Sequence, residues 1–130
     1  MKRHKIILKR EFDEGVVLCV DKHRLIQVLV NLISNAMHAV EHNQDYKKEV
    51  TVAVSEDDGK VIFSVQDNGV GIEKSILNRL FEFGFKKREG GHGYGLHHSA
   101  LVAAEMDGCL VAESEGPGQG AKFILELPVK

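Results

Sequence analysis

Three groups of residues combine types and spacings that could do chemistry. In "DNGVGI", Asp67–Ile72, a carboxylate closes an apolar run and so becomes an acceptor with a fixed direction, while Gly69 and Gly71 let the backbone turn so that a flat ligand can come close. A tight Asn-Gly turn is the plainer reading of this stretch. Two glycines around Val70 directly after an Asp favour a ligand-facing loop. Asn31 and Asn35 stand four apart, one helical turn, and neutral carbonyl oxygens so placed suit a hard cation such as Mg²⁺ when phosphates supply the other oxygens. A solvated polar face is the competing reading, but two Asn with Ser34 inside one helix are poor helix formers and ask for a compensating role. In "GGHGYGLHH", residues 90–98, four glycines in six positions run into an apolar helical stretch. Backbone N–H groups and a positive dipole end suit phosphate there, against the alternative of a flexible surface loop. Lys86 and Lys87 just upstream offer cations. The spacing is G-x-G-x-G with no strand running into it, and the phosphate-loop pattern G-x-x-x-x-G-K-[ST] is absent. His92, His97 and His98 lack a Cys or carboxylate at zinc-site spacing, so no histidine metal site is expected.

These residues need elements to hold them. Leu25, Leu29, Leu32, Ala36 and Val40 repeat at three and four, which predicts a helix from Lys22 to about His42 with one apolar face. Gln27, Asn31, Asn35, His38 and His42 form a second, polar stripe on the same helix. "GVVLCVD", Gly15–Asp21, reads as a strand whose Asp caps that helix. "EVTVAVSEDDGKVIFSVQD" alternates around a DDG turn and predicts a β-hairpin over Glu49–Asp67. A short helix follows the DNGVGI turn, and a second long helix runs from about Gly93 to Met106. Two strands, "CLVAES" and "AKFILELPV", flank the turn "EGPGQG". Order and spacing predict an α/β (α+β) two-layer sandwich: a mixed, largely antiparallel sheet with helices on one face. Nine of the 13 glycines fall between Gly84 and Gly120, so loop-built function is expected in the C-terminal half.

Composition narrows the class. A chain of 130 residues with 43% hydrophobic and 28% charged residues and a net charge of −2 describes one globular domain, not a disordered or collagen-like chain. The near-neutral balance gives no reason to expect nucleic-acid binding. No apolar run approaches a membrane span, and the start "MKRHKIILKREFDEG" lacks a signal-peptide core, so a cytoplasmic domain is expected. Cys19 and Cys109 are too few and too far apart for a disulfide framework, and two reduced, mostly buried thiols are predicted.

Taken in order, "QVLVNLISNAMHAV", "DNGVGI", "LFEFGFKK", "GGHGYGL" and "GPGQGAKFILELP" resemble the N, G1, F, G2 and final glycine motifs of the ATP-binding catalytic domain of sensor histidine kinases. The resemblance runs from about Gly15 to Pro128 and implies the GHKL (Bergerat) fold, with 1–14 a leader or linker and 15–130 the catalytic domain. It implies ATP and Mg²⁺ as ligands. Asp67 matches the aspartate that binds the adenine amino group, with Gly69, Gly71 and Ile72 shaping that pocket. Asn35 matches the residue that holds Mg²⁺ against the phosphates, with Asn31 beside it, and both are implied in catalysis. His38, Phe81, Phe83, Lys86 and Lys87, then Gly91, His92, Gly93, Tyr94, Gly95 and Leu96, match positions around the nucleotide and its lid. The gyrase and mismatch-repair ATPases carry a glutamate base where Asn31 stands, so the resemblance implies phosphoryl transfer over hydrolysis. The implied partners are a phosphoacceptor histidine hairpin not found before Gly15 and a downstream response regulator. The isolated domain is expected to be monomeric and, without the hairpin, inactive in autophosphorylation; a full-length kinase of this kind can be membrane-anchored. Many members have Thr or Ser at His92, Lys or Arg at His38 and Thr at Ala121, so phosphate contacts are not carried over to these three. The alternatives are a free-standing serine kinase similar to anti-sigma-factor kinases, and a nucleotide-binding module without catalysis.

Overall fold

Alternation along the central hairpin decides which side of the sheet is buried. The computed structural model describes residues 6–12, 21–41, 47–81 and 93–128. In chain order the elements are β1 (Ile6–Phe12), α1 (Lys22–Val40), β2 (Lys48–Asp57), β3 (Lys60–Asp67), α2 (Lys74–Leu77), α3 (Gly93–Glu105), β4 (Cys109–Glu113) and β5 (Ala121–Pro128). The strands form one five-stranded sheet in the order β1-β2-β3-β5-β4. All neighbours are antiparallel except β1 and β2, which run parallel. The β2–β3 turn is Asp58-Gly59, both at positive φ (51° and 77°), a backbone whose twist matches that of the strands it joins.

Cross-strand register lines up Val52, Val65 and Phe123 in one row and Val54, Phe63, Leu125 and Leu110 in the next. These rows, with Val28, Leu32, Ala36 and Val40 of α1 and Val102, Ala103 and Met106 of α3, make one core, so both long helices cover the same face. The residues between them in the strands, such as Ser64, Gln66 and Lys122, face the other way. That is the predicted two-layer sandwich, and among the described residues no helix is long and apolar enough to cross a membrane.

Two expectations are corrected, and a third falls outside the described residues. Residues 1–14 are predicted as a leader outside the fold, yet Ile6–Phe12 pair in parallel with Lys48–Val54 and extend the sheet at its edge. The predicted strand at Gly15–Asp21 lies outside the described residues except for Asp21. Cys109 is exposed, because it starts an edge strand on the outward side of the alternation. Its partial burial and then the Glu126 carboxylate push the thiol above its usual pKa, with Lys60 opposing. Cys19 lies outside the described residues.

Asp21 caps α1 as predicted, its carboxylate accepting the N–H groups of His23 (3.0 Å) and Arg24 (3.3 Å). Asp21→Ala should therefore lower stability by about 1 kcal/mol, read as a shift in the urea midpoint with unchanged slope; no shift would mean that water replaces the cap. The buried line of α1 is Val28, Leu32, Ala36, Ala39 and Val40, while the predicted Leu25 and Leu29 are half-buried at its flank. The apolar face is thus turned toward α3, which crosses α1 with Arg24 Nη1 bonded to Glu105 Oε1 (2.6 Å) and Asn31 Nδ2 bonded to Ser99 Oγ (3.1 Å). The Arg24 pair is exposed and contributes little; the Asn31 bond ends on a fully buried hydroxyl.

Candidate functional site

The loop after β3 is held from three sides. Asp67 is 5% exposed and on the core face of the sheet, between Val50 of β2 and Ala121 of β5. Its Oδ1 accepts the Gly69 N–H at 2.8 Å, which fixes the turn and the direction of the carboxylate. The Asn68 side chain clamps the start of β2, accepting the Glu49 N–H at 2.9 Å and donating to the Lys47 carbonyl at 2.7 Å. The Val70 N–H donates to the Ala39 carbonyl at 3.0 Å, satisfying one of the acceptors that the end of α1 leaves open.

Gly69 and Gly71 are needed for this docking. A Cβ on Gly69 would land on the Ala39 carbonyl, and one on Gly71, at φ +73°, would land on the Gly116 carbonyl. The sequence suggests that the two glycines make room for a ligand; the space is filled by the protein's own backbone. The third clamp is Ser114, whose Oγ accepts the N–H groups of Ile72 (3.0 Å) and Gly116 (3.2 Å) and donates to the Gly120 carbonyl (2.6 Å). Gly118 adds an N–H to the Val70 carbonyl at 2.7 Å. The glycine turn between β4 and β5 therefore serves as a backstop for the loop that carries Asp67.

The polar stripe of α1 lies beside this loop. Asn31, Asn35 and His38 are half-buried and Gln27 is exposed, while His42 lies outside the described residues. Asn31 donates its amide to Ser99 of α3, so its position is set by the helix pair. His38 Nδ1 stands 3.3 Å from Glu41 Oε2, both largely exposed. Ala121 sits directly across from Asp67. The sequence reading carries no phosphate contact over to Ala121, and the register puts it beside the carboxylate.

Gly93, Tyr94 and Gly95 open α3, and Leu96 is buried behind them. Phe81 packs edge-on against Phe123 with ring centres 6.3 Å apart. Its carbonyl accepts the His97 Nδ1–H at 2.9 Å. Phe83, Lys86, Lys87, Gly91 and His92 lie outside the described residues. The structure ties the loop after Asp67 to the end of α1 through Val70 and Ala39, and ties Asn31, midway along α1, to Ser99 of α3. A cleft of about 510 Å³ reaches Gly120 and Ala121 from the side of Gln66, Leu77 and Lys122 and includes neither Asp67 nor Asn35.

Four residues that hold the site are missed by the sequence reading: Asn68, His97, Ser99 and Ser114. For Ser114 a signal exists, since a Ser two residues before a glycine turn often bonds back to that turn. Ser99 and His97 bond to partners far along the chain, for which spacing gives no clue.

Residues 20–130 match the family model described as histidine kinase-, DNA gyrase B- and HSP90-like ATPase. The sensor histidine kinase ZraS of Klebsiella oxytoca is 40% identical over 122 residues, 91% of this chain and 25% of that protein. A probable C4-dicarboxylate sensor kinase of Bacillus subtilis is 33% identical over 112 residues, 85% of this chain and 21% of that protein. The chain therefore spans between a fifth and a quarter of the length of these curated relatives. Among solved structures, full-length ShkA in complex with AMPPNP superposes with a TM-score of 0.81 at 31% identity, over 95% of this chain and 26% of that one. The catalytic domain of the histidine kinase ThkA gives the same TM-score at 26% identity, over 95% of this chain and 79% of that one. The family match takes in α1, the Asp67 loop and the Ser114 turn together, the parts that the hydrogen bonds above tie into one unit, and on that ground the chain belongs to the histidine kinase-, DNA gyrase B- and HSP90-like ATPase family.

Proposed function

We propose that this chain is the Mg-ATP-binding catalytic unit of a two-component histidine kinase, which passes the γ-phosphoryl of ATP to a histidine on a separate phosphoacceptor hairpin and from there to a response regulator. The observation that carries the reading is the buried Asp67 carboxylate at the end of β3, held by the Gly69 N–H in a loop that docks on the end of α1, the helix that carries the half-buried Asn31 and Asn35. A buried carboxylate has acceptor sites beyond one N–H, and an amino group on a flat base is a donor of the right kind. Phosphates extending from that base along α1 would pass Asn35 and meet the N–H groups at the start of α3.

Among the described residues no three His, Cys, Asp or Glu side chains gather at one place, so a hard cation at Asn35 needs oxygens from elsewhere. A neutral amide oxygen plus phosphate oxygens is a donor set that fits Mg²⁺. When bound, the ion would neutralise charge building on the transferring group. The residues of this chain do no covalent work. In the transfer, an unprotonated imidazole nitrogen of the hairpin forms a bond to the γ-phosphorus as the bond to the β–γ bridging oxygen breaks and ADP leaves. Asn31 cannot accept a proton from water, which leaves positioning as its contribution, through its bond to Ser99. Cytoplasmic placement and monomeric behaviour of the isolated unit belong to the same proposal.

The test is titration with a non-hydrolysable ATP analogue, with and without Mg²⁺. Mg²⁺ should tighten binding to the wild type, and Asn35→Ala should lose that gain, about tenfold for ~1.4 kcal/mol. An equal Mg²⁺ effect in both proteins would remove Asn35 from the ion.

A further inference from the structure

Helix α3 is tied on two sides at neighbouring positions. Ser99, fully buried, accepts the Asn31 amide of α1 at 3.1 Å. His97, two residues earlier, donates its Nδ1–H to the Phe81 carbonyl at 2.9 Å. Two residues are about 200° of helix rotation, so the ties pull on opposite flanks of the first turns. Core packing of Val102, Ala103 and Met106 seats the C-terminal half of α3, and the two ties add directional bonds near its start.

We infer that His97 is a positioning residue of the nucleotide site, holding the first turn of α3 at the distance from α1 at which its free N–H groups can meet the phosphates; this rests on the nucleotide reading above. Two features support the assignment. The Phe81 carbonyl is a fixed anchor, since the Phe81 ring packs edge-on against the buried Phe123. That carbonyl can only accept, so the ring must carry its proton on Nδ1, and the bond selects a donor of one defined position on the side chain. His98, the next residue, is exposed and has no part in this arrangement.

The experiment compares affinity for a fluorescent ATP analogue, alongside the thermal midpoint, in the 130-residue chain and in His97→Asn, His97→Gln, His97→Leu and His98→Ala. An Asn amide reaches nearly where Nδ1 lies, whereas a Gln amide reaches past it. His97→Leu and His97→Gln should bind about three- to tenfold more weakly. His97→Asn should stay within about twofold of wild type, and His98→Ala should match it. A purely structural role predicts affinity losses that follow the thermal midpoint whatever the side chain. Wild-type affinity in a folded His97→Leu or His97→Gln overturns the inference, as does equal affinity in the Asn and Gln variants should the Leu variant not fold. Failure of the wild type itself to bind overturns the nucleotide reading, and this inference with it.

Discussion

Asp67→Asn is expected to weaken binding of an ATP analogue by about 10- to 150-fold while leaving the fold intact. A hydrogen bond to a charged group contributes about 1.5–3 kcal/mol, which is that range in affinity. The fold survives because the remaining amide oxygen can still take the Gly69 N–H, the bond that shapes the loop. Asp67→Ala removes this bond as well, so it should lose affinity and some stability together. The comparison separates recognition from loop geometry, with calorimetric titration for the first and urea unfolding for the second. Undiminished binding by the Asn variant would sink the assignment of Asp67 to the base.

The second large effect concerns stability. Gly69→Ala would drive a methyl group into the Ala39 carbonyl and force the Val70 N–H away from that same oxygen. Forced overpacking costs about 1–3 kcal/mol and a lost hydrogen bond adds about 1. Neither side can give way easily, since Ala39 is the backbone of a buried helix and Asp67 and Asn68 hold the loop. A loss of about 2–4 kcal/mol in ΔG of unfolding is expected, and with it weaker nucleotide binding. A variant that unfolds at the wild-type urea concentration would show that loop and helix do not meet as closely as described. Gly59, in the hairpin turn, has open space around its missing side chain, so an unnatural D-alanine there should be tolerated.

The main elements were legible because each announces itself locally. The three-and-four repeat of α1, the alternation around Asp58-Gly59 and the apolar run after Gly95 need no distant partner to be read. β1 was not legible, since "IILKREF" carries three charged residues after a basic start, and its strand character comes from pairing with Lys48–Val54 across the whole of α1. The site divides in the same way. Asp67, Asn31 and Asn35 stand out because a carboxylate after a strand and two amides on a helix are costly without a purpose. Ser99 and Ser114 do not stand out, because an isolated serine is ordinary and gains its meaning only from Asn31, 68 positions away, or from Ile72, 42 positions away.

The clamp between Ser114 and Ile72 also sets an order of events during synthesis. The loop that aims Asp67 is written into the middle of the chain, but its backstop is written near the end, and Gly120 is the last residue the Ser114 hydroxyl needs. A nascent chain that has passed Val70 already holds every residue of the Asn68 and Ala39 clamps, but its turn lacks the third. The nucleotide site is thus completed only when the final hairpin folds back, and any ligand that binds it stabilises the finished domain and none of its precursors.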